Sequence, residues 1–155
     1  MTVVRDWTSR LTDLGITLPP VAKPVAAYVP AVRLGDVVYT SGQLPLVDGT
    51  LTHTGKVGAA VSPEEAKEAA RTAALNALAA IDGLVGLDNI ASIVKVVGFV
   101  ASAEGFTGQP GVVNGASELL GEVFGAVGAH ARSAVGVAEL PLGAPVEVEL
   151  IVEVI

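Results

Sequence analysis

The sequence predicts an α+β domain, with helices laid on one face of a mixed sheet. Three observations carry that prediction. The chain has 155 residues, 51% of them hydrophobic and 16% charged, which is one domain's worth of chain with enough apolar residues for a sizeable core. Its patterned segments run helix, two strands, helix, strand, helix, two strands. Its strongest helix is lined with alanine, and small side chains let a helix lie close on a sheet.

In "TVVRDWTSRLTDLG", Val4, Trp7, Leu11 and Leu14 fall at helical spacing, while Arg5, Asp6, Arg10 and Asp13 stay outside the stripe. Gly15 stops the pattern. "ITLPPVAKP" then reads as a polyproline-like connector, so residues 1–22 form an extension to a single domain. "VAAYVPAVRLGDVVYTSGQLP" reads as a β-hairpin with a strand from about Ala26 to Arg33, a turn at Leu34-Gly35-Asp36 and a strand from Val37 to about Ser41. Pro30 within the first strand removes a ladder donor and assigns that strand to an edge or a bulge. "PLVDGTLTHTGKVG" is a polar, glycine-rich loop or ragged hairpin.

"SPEEAKEAARTAALNALAAIDG" opens with Ser62 as N-cap, Pro63 at the first helical position and Glu65 completing a capping box, and Gly83 is expected to end it. Ala66, Ala69, Ala70, Ala73, Ala77, Ala80 and Ile81 form its inner stripe. "ASIVKVVGFVAS" is apolar almost throughout and predicts a strand covered on both faces, by a helix on one side and another subunit on the other. "QPGVVNGASELLGEVFGAVG" predicts a helix weakened by glycines, with Val113, Leu119, Leu120, Val123 and Phe124 as core contacts. The last two strands are expected to face each other across a Pro-Gly turn, one headed by Arg132 and the other carrying glutamates.

Composition removes several chemistries. The sequence contains no cysteine, hence no disulfide, thiolate metal site or cysteine nucleophile. The charged N-terminus and the lack of an apolar run of roughly 18 residues predict a soluble cytoplasmic protein with no membrane contact. The net charge of −7 with no Lys/Arg run argues against nucleic-acid binding. "GTLTHTGK" has the wrong glycine gap for a phosphate loop, with Val57 where Ser or Thr is needed. His53 and His130 lie far apart without an acidic ligand pattern, so no metal is expected.

The candidate binding residues are sparse. "TSGQ" (Thr40 to Gln43) puts a hydroxyl, a glycine and an amide at a strand end, either as turn chemistry or as a place where backbone approaches a ligand. Tyr28 offers a phenol, and Asn114 an amide, to a pocket or to ordinary packing. Alternation sets Arg132 on one face with Ala134, Gly136 and Ala138, small neighbours that leave space beside it. On the glutamate strand, Val146, Val148, Leu150, Val152 and Val154 share one face; Glu147, Glu149 and Glu153 share the other with Ile151 and Ile155. Arg132 therefore either pairs with a glutamate of its own chain or binds a carboxylate ligand through its planar fork.

The segments "YVPAVRLGDVVYTSGQLP" and "ARSAVGVAELPLGAPVEVE", with the alanine-rich helix and the Val113-Asn114…Leu120 helix between them, resemble the RidA family, also called the YjgF family. The resemblance covers Lys23 to the C-terminus. It implies a chorismate-mutase-like fold assembled as a homotrimer with clefts between subunits. It also implies hydrolysis of reactive enamines and imines, of the 2-aminoacrylate type, to 2-oxo acids and ammonia without a cofactor. By position, Arg132 would bind the substrate carboxylate, Glu147 would orient the attacking water, and Tyr28, Ser41, Gly42, Asn114 and Ser133 would line the cleft. The chain departs from the family's pattern in its N-terminal extension, in Ala134 where the deaminases often carry cysteine, and in a longer glycine-rich segment from Gly105 to Ala131. Two other functions stand beside this one: a trimeric, non-catalytic binder of small carboxylates, and the endoribonuclease or translation inhibitor of an older family label.

Overall fold

The computed structural model describes residues 5–24 and 26–155; Val4, expected at the head of the first helical stripe, lies outside them. Helix α1 (Trp7–Asp13) is capped by Asp6, whose carboxylate accepts the Ser9 amide. It docks through Trp7, which donates its indole N–H to Ile90 O at 2.9 Å and meets the Phe124 ring edge-on at 5.1 Å.

Strands β1 (Ala31–Leu34) and β2 (Val37–Thr40) form the expected hairpin, turning at Gly35 with φ 59°. The first strand starts at Ala31 rather than Ala26. Pro30 has no N–H to place in a ladder, so it stands just outside, and its carbonyl accepts the Ser41 amide at 2.8 Å. Tyr28 consequently sits on a bend ahead of the strand, not within it. The polar segment that follows does contain a hairpin, β3 (Leu46–Val47) and β4 (Thr50–Leu51), closed by Asp48 and Gly49 at φ 51° and 79°.

Helix α2 (Pro63–Val85) begins with the full capping box: Ser62 Oγ accepts the Glu65 amide and Glu65 accepts the Ser62 amide. All seven residues of its predicted inner stripe are buried. The helix runs past Gly83 and ends at Gly86, φ 85°. Gly83 serves packing instead, because a Cβ there would come within 2.9 Å of Val21 where the N-terminal connector crosses the helix.

Strand β5 (Ile90–Ala101), helix α3 (Gln109–Phe124), strand β6 (Ala131–Val137) and strand β7 (Val146–Val154) complete the domain. The five-stranded sheet has the order β1-β2-β7-β5-β6, with β5 and β6 parallel and the other neighbours antiparallel. The two final strands are therefore not partners, since β5 lies between them. The burial of each strand explains the order: β7 buries all five of its alternate aliphatics and takes the centre, whereas β6, short and rich in small residues, is half-exposed along its length and takes the edge.

Helices α2 and α3 cover one face of this sheet, held to each other by Lys67–Glu118 at 3.0 Å and Arg71–Glu122 at 3.4 Å. The opposite face carries Tyr39, Val97, Phe99, Glu147 and Glu149 and is only half covered within one chain. Strand β5 was expected to be covered on both faces; a single chain covers one. No helix among the described residues is long and apolar enough to cross a membrane.

Candidate functional site

The predicted site residues fall into two groups on opposite faces of the sheet. The first surrounds a cleft of about 370 Å³ lined by Lys23, Tyr28, Ser41, Gly42, Pro141 and Glu147, among others. Its shape follows from a break in the ladder between β2 and β7. Tyr39 pairs with Ile151 and Gln43 pairs with Val148, so three residues, Thr40 to Gly42, stand opposite two. Thr40 repairs the break by accepting the Leu150 amide on its hydroxyl at 2.9 Å, and Gln43 exchanges both backbone hydrogen bonds with Val148 at 2.8 and 3.0 Å. Ser41 and Gly42 are thereby pushed out toward the cleft.

Glu147 fills the floor of this bulge. A Cβ at position 42 would lie 2.5 Å from Glu147 Oε1, so only glycine lets the carboxylate rest against the backbone there. Burial, reinforced by the neighbouring charge of Glu149 on the same face, pushes the Glu147 carboxyl above the usual carboxylate range. Ser41 donates its hydroxyl to Val29 O at 2.6 Å, which ties the bulge to the bend that carries Tyr28.

The second group is built around Arg132. Residue 132 pairs with Val96, and Val96 with Leu150, both fully buried beneath the helices, so Arg132 lies on the helix-covered face. Its guanidinium reaches α3. There Nη1 donates to Asn114 Oδ1 at 2.7 Å and Ser117 Oγ at 3.3 Å, and Nη2 to Pro110 O at 3.3 Å. Glu147 is paired with Phe99 on the other face. With β5 intervening, the two residues are on the order of 10 Å apart across the strands before their opposite orientations are counted.

A single chain thus joins Tyr28, Ser41, Gly42 and Glu147 in one group and Asn114 and Arg132 in another. Ser133, one step beyond Arg132 and paired with Val97, faces away from the guanidinium. The alternative expectation, an Arg132–Glu pair within the chain, is corrected by the strand order: Arg132 has no carboxylate partner among the described residues. Among those residues no three His, Asp or Glu side chains gather as a metal site; His53 pairs with Glu65 at 3.2 Å instead.

Ser117 is not among the residues singled out from the sequence, which predicts no metal-ligand role for His130. His130 Nε2 lies 2.8 Å from Ser117 Oγ, which in turn contacts Arg132. Both residues carried a legible signal. Ser117 is three residues from Asn114 on a helix, and His130 two residues from Arg132 entering a strand, each the spacing of a shared face.

Comparison with known proteins agrees with this architecture. The model of the family described as Endoribonuclease L-PSP matches residues 20–154. Protein TCP17 of Trypanosoma cruzi is 45% identical over 147 residues, covering 94% of this chain and 92% of that protein. An Agrobacterium tumefaciens protein of unknown function superposes with a TM-score of 0.86 at 43% identity, over 96% of this chain and 91% of the other. The YjgF gene product of Escherichia coli superposes with a TM-score of 0.61 at 26% identity, over 99% and 98% of the two chains.

Proposed function

The chain belongs to the Endoribonuclease L-PSP family, the family of YjgF, and on that premise we propose that it hydrolyses reactive enamines and imines to 2-oxo acids and ammonia. The reading further holds that three copies assemble so that the Arg132 group of one subunit meets the Glu147 cleft of the next. The observation that carries it is the division of one chain into two complementary half-sites, a guanidinium in one and a raised-pKa carboxylate in the other. Each lacks what the other supplies.

The donor count on Arg132 suits a carboxylate ligand. Its bonds to Asn114, Ser117 and Pro110 use both Nη1 hydrogens and one of Nη2. Nε–H and the second Nη2–H remain, the two parallel donors of a side-on bidentate contact. A substrate carboxylate held there would present its imine carbon to the Glu147 cleft. Glu147, ionised, takes a proton from water as the oxygen adds to the C=N carbon, giving a carbinolamine. With the imine nitrogen entering protonated, the proton taken by Glu147 then passes to the amine nitrogen, the C–N bond breaks as the hydroxyl proton returns to Glu147 and the C=O forms, and ammonia leaves, carrying that proton away as ammonium. An enamine enters this sequence after protonation at its β-carbon. The imine is already electrophilic, so the step asks of the protein only positioning and proton transfer, and a carboxyl with an elevated pKa is better matched to that transfer than an ordinary one.

The endoribonuclease label in the family's description fits this chain less well. A net charge of −7 and a cleft floored by a carboxylate would repel a phosphodiester backbone. The test is release of ammonia and 2-oxo acid from imines generated in situ by an amino-acid oxidase. Arg132→Ala should lower kcat/KM by roughly 30-fold or more, and Arg132→Lys nearly as much, since an ammonium lacks the fork. Glu147→Gln separates the enzyme from a carboxylate binder: an enzyme loses rate, whereas a binder keeps its affinity for 2-oxo acids. A wild-type rate no faster than the spontaneous one, for every side chain tried, would refute the enzymatic reading.

A further inference from the structure

Arg132 is held from behind by a directional chain of hydrogen bonds that ends on a backbone carbonyl. His130 Nδ1 lies 2.6 Å from Gly128 O. A carbonyl only accepts, so Nδ1 carries a proton, and with that single proton on the ring Nε2 is left as an acceptor. Ser117 Oγ, 2.8 Å from that Nε2, donates its hydrogen there and turns its lone pairs to Arg132 Nη1 at 3.3 Å. Every group in the sequence Arg132, Ser117, His130, Gly128 donates to the next. The anchor is fixed as well, because Gly128 is buried and packs so tightly on Leu120 O that a Cβ would overlap it.

We propose that Ser117 and His130 are positioning residues for Arg132, setting the guanidinium plane so that its Nε/Nη2 edge faces a bound carboxylate. The inference rests on the reading of Arg132 as the carboxylate-binding group. Asn114 takes one Nη1 hydrogen and Pro110 O one Nη2 hydrogen. The second Nη1 hydrogen has Ser117 as its acceptor, and Ser117 is oriented by His130. Without that acceptor, the Nη1 hydrogen must find another partner, and the substrate's own carboxylate is the nearest competing chemistry; binding then becomes end-on or mixed.

The test measures KM and kcat for the imine of alanine together with the affinity for pyruvate by calorimetry, in wild type and in Ser117→Ala, Ser117→Thr, His130→Ala and the double Ser117→Ala/His130→Ala. Ser117→Ala and His130→Ala should each raise KM and the pyruvate Kd on the order of tenfold, with a distinctly smaller fall in kcat. Ser117→Thr, which keeps the hydroxyl, should recover most of the loss. The double variant should be no worse than either single one, because both break the same chain. Pyruvate affinity and KM unchanged in folded Ser117→Ala and His130→Ala, or additive losses in the double variant, would overturn the proposal while leaving Arg132 in its role. Pyruvate affinity unchanged in Arg132→Ala would overturn both that role and this inference.

Discussion

Gly42 and Glu147 make one local device, and each can be tested alone. Gly42→Ala places a methyl where Glu147 Oε1 now rests. The clash is with the tip of a side chain, so the fold survives by swinging the carboxylate aside. The expected result is a loss of kcat on the order of tenfold or more with only a small fall in Tm. Glu147 is also a pH sensor of stability. Its folded pKa lies above its unfolded one, so between the two the native state holds more protons than the unfolded chain, and stability falls as pH rises through that window. The loss then persists at neutral pH. Glu147→Gln should therefore raise Tm at pH 7 by on the order of 1–2 °C, a gain limited by solvent at the half-exposed carboxylate, and should flatten the decline expected of wild type just above the ordinary carboxylate range. Thermal melts across mildly acidic to neutral pH check both points; a lower Tm for the glutamine variant at pH 7 would contradict the burial argument.

The elements show how far a one-dimensional pattern reaches. Ser62, Pro63 and Glu65 announce the start of α2 because a capping box is local chemistry written within four residues. The alternation of β7 likewise states which side of the strand is buried. Neither signal names a neighbour. Alternation fixes faces but not strand order, which is why β6 and β7 read as a facing pair although β5 separates them. Glycines mislead for a related reason: the letter marks a need for space or for positive φ, and only the fold says which. Gly83 reads as a helix stop and Gly115 as a weak point within a helix, yet both sit inside helices at close approaches. A Cβ at Gly115 would overlap Lys67 O on α2, a backbone atom that cannot move aside. Gly115→Ala should cost about 2–3 kcal/mol by forcing α2 and α3 apart, lowering Tm by roughly 5–10 °C. Gly111→Ala, with open space around its Cβ, is the control and should be neutral or slightly stabilising.

At the scale of the whole molecule, Tyr28, Ser41, Gly42, Asn114, Arg132 and Glu147 were named one by one from the sequence, but their division into two groups was not. Tyr28, Ser41, Gly42 and Glu147 converge because the Thr40–Gly42 bulge folds back on β7, and Arg132 and Asn114 converge because α3 covers the sheet's edge. No spacing in the sequence records that these two meetings occur on opposite faces. If a subunit's Arg132 group serves its neighbour's Glu147 cleft, two inactive variants can repair each other. Arg132→Ala keeps an intact cleft and Glu147→Gln keeps an intact arginine. Subunits of the two, unfolded together in equal amounts and refolded, should place an intact arginine beside an intact cleft at roughly a quarter of the sites. The decisive measurement is therefore imine-dependent ammonia release by that mixture, with subunit exchange verified by differential tags. Activity near a quarter of wild type, against almost none for either variant refolded alone, is the expected result; an exchanged mixture no more active than its two parents would contradict a site shared between subunits.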